Sequence, residues 1–145
     1  MNVNRREIMQ NVYLTCLPAE KFKTGCLSAQ FVAPLRRDTA SYYALLPAVL
    51  NRGTMSCPDM EALSAATDRL YGADISPTVR KKGERQCVGF VASFIDDRYT
   101  LGGEKLLEPV ANLMGELFLD PVTRGGRYLK EYVESERANL VDSIR

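Results

Sequence analysis

The chain of 145 residues contains no histidine. That absence removes the most frequent general base and the most frequent nitrogen ligand of proteins. A Ser-His or Cys-His nucleophilic site cannot be assembled from these residues, and neither can a zinc site that uses imidazole. Cysteine is sparse. Cys16, Cys26, Cys57 and Cys87 stand singly, with no Cys-x-x-Cys pair, so neither a structural zinc site nor a disulfide framework is expected. No charge of one sign dominates: 19 basic residues face 18 acidic ones, net +1. That balance leaves no footprint for nucleic acid or an acidic membrane surface. No apolar run reaches the roughly 18–20 residues of a membrane span, and the opening MNVNRREIMQ lacks the apolar core of a signal peptide. These absences lead to the expectation of a cytoplasmic protein with free thiols and no nucleic-acid or membrane partner.

What is present is mostly apolar. At 46% hydrophobic, the chain is able to bury one sizeable core, and one domain is expected. Residues 1–10 are polar and read as a loose lead-in. Val12 to Leu17 and Phe22 to Leu35 read as two strands of one hairpin, joined through Pro18-Ala19-Glu20-Lys21. In the second, Leu27, Ala29, Phe31 and Ala33 alternate with Ser28, Gln30 and Val32, so one face is apolar at period two. Asp38 is placed to cap a helix over Thr39 to about Asn51, with Pro47 inside it as a bend and Gly53 at its end. A second helix opens at Pro58 and closes at Gly72. Asp74 to Lys82 and Arg85 to Ile95 read as a second hairpin, the latter an inner strand with apolar residues on both faces. Its tip carries Arg80, Lys81, Lys82 and Arg85, a short solvated charge run. Leu106, Leu107, Val110, Leu113, Met114, Leu117 and Phe118 fall at helical spacing. A last helix from about Gly126 places Leu129, Val133, Leu140, Ile144 and Glu136 on one stripe. The order is ββααββαα, which implies an α+β fold with helices on one face of an antiparallel-rich sheet. The last helix has no stop signal before Arg145, so a fragment of a longer protein is expected.

Several stretches together resemble the N-terminal part of insulinase-type (pitrilysin-like) zinc metallopeptidases. They are FKTGCLSAQFVAPL, the helix ending LNRGT, DRLYGADISPTVRKKGE, QCVGFVASF, LFLDPV and YVESERANL. They cover nearly the whole chain in the family's order, and the nearest likeness is to small bacterial members that lack the zinc motif. The resemblance implies a LuxS/MPP-like metallohydrolase fold, with residues 1–145 as the N-terminal part of one domain in a multi-domain chain. In active members the first helix carries His-x-x-Glu-His. The histidines bind zinc and the glutamate activates water. Counted back from Gly53 and Thr54, those positions are Ala44, Pro47 and Ala48. The family's third ligand, by the match to YVESERANL, is Glu136, which is retained. The resemblance therefore implies zinc for the family and no zinc, and no catalytic residue, here.

The bland readings stand beside these. Small residues at Ala44, Pro47 and Ala48 also suit a buried helix. A carboxylate on an apolar stripe such as Glu136 is expected to pair with an Arg or Lys, to lie exposed at the edge of the stripe, or to be a leftover ligand position with some role in binding. Tyr42 and Tyr43 read as packing residues. Cys57 sits near a helix start, but it has no base to work with. The resemblance implies a non-catalytic homologue that holds extended peptide at a free sheet edge and partners an active subunit of the family or a second copy. The rivals are a peptidase with ligands from elsewhere and a purely structural or assembly domain.

Overall fold

The structure is a computed structural model and describes residues 3–144. Its centre is a three-stranded antiparallel sheet in the order β3-β5-β4: β3 (Thr24–Pro34), β4 (Asp74–Lys82) and β5 (Arg85–Ile95). β5 lies in the middle because it is apolar enough to be covered. Its Val88, Phe90, Ala92 and Phe94 share one face, with Phe90 and Ala92 fully buried. Phe31, Ala29 and Leu27 of β3 and Val79, Pro77 and Ile75 of β4 stand opposite Val88, Phe90 and Ala92. Two helices cover that face. α1 (Ala40–Leu50) lies over β4 and β5, and α3 (Leu107–Leu119) over β5 and β3. α3 supplies Val110, Met114 and Leu117, and Leu50 of α1 joins them in one core. A fully buried side chain such as Phe90 or Leu117 contributes on the order of 2–3 kcal/mol. α2 (Met60–Arg69) follows α1, with Asp59 accepting from the Ala62 amide as its cap. α4 (Lys130–Ile144) packs against α1.

The α+β class, with α1 and α3 on one sheet face, is the expected one. The element order is richer than ββααββαα. Residues 4–9 form β1 (Asn4–Met9), which pairs with β2 (Val12–Cys16) as a separate ribbon. Asn11 turns that ribbon with φ of 62°, a conformation asparagine tolerates better than most residues. Residues 1–2 of the expected lead-in lie outside the described residues. The expected hairpin of Val12–Leu17 with Phe22–Leu35 does not form. β3 pairs along its whole length with β5, from Thr24 opposite Ile95 to Pro34 opposite Arg85, because that register sends Leu27 and Ala29 into the core.

The other differences concern helix ends. Asp38 does not cap α1. Its carboxylate is taken by the Arg36 guanidinium, which holds it below the usual carboxylate range, and Thr39 is the N-cap residue. α1 runs unbroken through Pro47. Pro58 lies ahead of α2, and Asp59 starts it. The last helix does not begin at Gly126. Gly125 and Gly126, with φ of 61° and 72°, turn a short hairpin of β6 (Thr123–Arg124) and β7 (Arg127–Tyr128), and α4 follows at Lys130. Ile144 is 77% exposed, off the buried stripe.

Candidate functional site

The stretch that carries the candidate site runs from the middle of α1 into the loop after it. Pro47 is fully buried, while Ala44 and Ala48 are half-buried. None of these three side chains has an atom that ligates a metal or accepts a proton. Helical spacing places Ala44 and Ala48 one above the other; Arg52 lies in the turn just beyond the end of α1, where its amide donates to the Val49 carbonyl at 3.2 Å.

The chain then reverses sharply at Gly53. A Cβ there would lie 2.6 Å from the Cys57 carbonyl oxygen, so a side chain has no room. The reversal is held by Thr54, which is fully buried. Its hydroxyl accepts from the Cys57 amide at 3.0 Å and donates to a Glu116 carboxylate oxygen of α3 at 3.2 Å. The Ser56 hydroxyl donates to the same oxygen. Two backbone bonds tie the loop to the segment after α3: the Met55 amide donates to the Asp120 carbonyl and the Val122 amide to the Gly53 carbonyl. The end of α1 is thereby fixed to α3.

On its other side α1 is fixed to α4 through Glu136. The structure brings this residue to Arg52, in the turn that follows α1. Arg52 Nε donates to Glu136 Oε1 at 2.5 Å, a second guanidinium nitrogen pairs with the same oxygen, and Nη2 donates to Ser135 Oγ at 2.8 Å. Asn139 Nδ2 donates to the other carboxylate oxygen at 3.3 Å. The guanidinium carbon stands 5.7 Å from the centre of the Tyr132 ring. The side chains of Arg52 and Glu136 are only 21% and 15% exposed, so the pair is well withdrawn from water. Of the two readings of Glu136, the ion pair is the arrangement seen. Sequence reasoning did not single out Arg52; its place four residues beyond Ala48 was the available signal.

The residues of this junction do not fit a zinc ion. Ala44 and Ala48 carry only methyl groups and Pro47 only its ring, and the Glu136 carboxylate is engaged by a guanidinium. Among the described residues no group of three or more His, Cys, Asp or Glu side chains is placed to hold a metal. Beside the junction lies an open apolar groove of about 270 Å³, lined by Tyr42, Tyr43, Leu45, Leu46 and Val49 of α1 with Tyr128 and Val133. Tyr42 is 74% exposed there and is not a packed residue. Cys57 is half-buried beside Ser56, whose hydroxyl lies 3.8 Å from its sulfur. No helix among the described residues is long and apolar enough to cross a membrane.

Fold and site together describe an α+β chain in which Ala44, Pro47 and Ala48 offer no metal ligand and no base, and the chain is similar to parts of two longer proteins. The chain is 37% identical over 126 residues to the protein named probable inactive metalloprotease YmfF of Bacillus subtilis (strain 168), a match spanning 87% of this chain and 30% of that relative. The crystal structure of a conserved protein from Enterococcus faecalis V583 superposes with a TM-score of 0.92 at 25% identity, over 99% of this chain and 33% of that one. The chain thus spans about a third of the length of both. No family profile matches it.

Proposed function

We propose that the chain is part of an insulinase-type (pitrilysin-like) metallopeptidase homologue that cuts no peptide bond itself. It serves as the non-catalytic, peptide-holding partner of an active subunit of that family, or of a second copy of itself, in the bacterial cytoplasm. One observation supports the reading: Ala44, Pro47 and Ala48 of α1, to which the resemblance assigns the places of two ligands and a base, carry no ligating or basic atom, and Glu136 is engaged by Arg52. The relative's name, which marks it as inactive, supports the same reading. An extended peptide would be held by adding it as a strand to the free edge of β4, the edge strand over which α1 lies. Pro77 sits on that strand, a residue sheets accept at edges.

The test uses the purified protein alone and then with candidate partner subunits. Zinc content, chelator-sensitive cleavage of a quenched fluorescent peptide library, and peptide binding by fluorescence anisotropy are measured together. Peptide binding with neither stoichiometric zinc nor cleavage is expected. Chelator-sensitive cleavage by the protein alone would overturn the proposal. Capture of a fixed protein partner with no peptide binding would favour a purely structural or assembly role instead.

A further inference from the structure

The near balance of charge over the whole chain hides one strongly basic end of the central sheet. β4 and β5 meet there in a hairpin with two loop residues, Gly83 and Glu84. Lys82 stands directly opposite Arg85, and Arg85 opposite Pro34 of β3. The Leu35 amide donates to the Glu84 carbonyl at 2.8 Å, so Arg36 and Arg37 leave β3 beside the same tip. Segments 34–38 and 80–85 together hold six basic and two acidic residues, while the remainder of the chain holds 13 basic and 16 acidic ones. Arg37, Arg80, Lys81, Lys82 and Arg85 are all exposed. Arg36 pairs with Asp38, and among the described residues no carboxylate stands within ion-pair distance of the other five. Like charges directly opposite one another, as at Lys82 and Arg85, cost a sheet stability, and no described acid relieves this pair.

The same end is where the edge of β4 is open for pairing. Residues that flank a two-residue hairpin loop exchange both backbone bonds, so Lys82, Arg80, Thr78 and Ser76 bond towards β5. Lys81, Val79, Pro77 and Ile75 therefore face outward. Pro77 has no amide to give. That leaves Val79 and Lys81 as successive outward positions with both a donor and an acceptor. Their side chains stand on the sheet face turned to the helices, Val79 being 42% exposed, and those of Arg80 and Lys82 on the other face. A strand added there meets cations on both of its faces. A second copy of β4 is repelled, and an acidic strand is drawn in. A membrane surface or a nucleic acid would use the charges but leave the Val79 and Lys81 backbone groups unpaired. We infer that this half of the β4 edge takes an acidic extended polypeptide, with an apolar residue opposite Val79 and three successive acidic residues opposite Arg80, Lys81 and Lys82. The inference rests on the reading of β4 as a peptide-holding edge and names the chemistry of the peptide.

Fluorescence anisotropy with labelled peptides tests it. One peptide carries three successive glutamates beside a valine in an otherwise neutral sequence, made in both orders; in two others, glutamines or lysines replace the glutamates. The glutamate peptide is expected to bind about tenfold tighter than the glutamine one at low salt, a scale that three exposed ion pairs reach together. The gap is expected to close as salt rises. The triple variant Arg80→Gln, Lys81→Gln, Lys82→Gln is expected to bind both peptides alike. In the natural protein, binding is expected to slow amide hydrogen exchange at Val79 and Lys81. Equal affinity of the natural protein for all three peptides overturns the inference and leaves the peptide-holding role standing, whether or not the triple variant folds. A glutamate preference that survives in the triple variant, or binding without protection at Val79 and Lys81, overturns it as well. So does binding to vesicles of anionic phospholipid or to a DNA duplex with none to the glutamate peptide. Failure of every peptide to bind overturns the peptide-holding reading itself, and the inference with it.

Discussion

Replacing Thr54 by valine keeps the side chain's shape and removes only its hydroxyl, so the cost measures the polar network that fixes the end of α1. The residue is fully buried. Its hydroxyl accepts from the Cys57 amide and donates to Glu116. With valine, the Cys57 amide loses its acceptor in a place with little water, and Glu116 keeps only Ser56. Leaving a buried donor unmatched costs about 1–3 kcal/mol, and bonds to charged groups lie at the upper end. The expected loss for Thr54→Val is therefore about 2–3 kcal/mol, or roughly 5–10 °C in Tm for a chain of this size. Thr54→Ser keeps the hydroxyl and deletes one buried methyl, so about 1 kcal/mol is expected. Urea unfolding of the three proteins, with similar m values required, provides the comparison. A valine variant within about 0.5 kcal/mol of the natural protein would refute the reasoning, since that is the scale of changes away from any structural feature. So would a serine variant as damaged as the valine one, since packing and not hydrogen bonding would then hold the loop.

Gly89→Ala is expected to disrupt the β3–β5 ladder, because an added Cβ would lie 2.1 Å from the Ala29 carbonyl oxygen; loss of slow amide hydrogen exchange in Leu27 to Phe31 would register it, and unchanged protection would contradict it. Glu104 is held below the usual glutamate range by its own backbone amide, then by the Tyr71 hydroxyl and the Gly102 amide. Its folded-state pKa is depressed, so its small contribution to stability is present above the unfolded pKa and fades as pH falls through the folded one; an NMR titration of Tyr71→Phe should show the Glu104 carboxyl moving upward, and an unmoved titration would count against the bond. Thiol labelling should modify Cys16 and Cys26 first, Cys57 more slowly and Cys87 last, following their exposure; early loss of Cys87 would mean that β5 is not the central strand.

Much of this fold is legible in the residues because local pattern and global packing agree there. The alternation in Arg85 to Ile95 and the helical spacing of Leu106 to Phe118 each describe a surface that must be buried, and β5 and α3 fall where those patterns are. Strand pairing is another matter. Nothing local in Thr24 to Pro34 says that its neighbour is β5 and not β2; the choice is made by Phe90 and Leu117, which are distant in sequence. Asp38 shows the same limit at short range, since an acid ahead of a helix is an equally good partner for Arg36. At the candidate site, the missing ligand chemistry of Ala44, Pro47 and Ala48 is a property of the residues themselves and needs only the sequence. The partner of Glu136 lies 84 positions away, and only the packing of α4 on α1 reveals it.

The central claim is that the junction of α1 and α4 is closed by Arg52 on Glu136 and has no place for a metal. A crystal of the protein grown in excess zinc, with anomalous scattering recorded at the zinc edge, tests it most directly. The account predicts an intact Arg52–Glu136 pair and no anomalous peak between the two helices. A zinc peak bonded to Glu136, with the carboxylate turned away from Arg52, would contradict it.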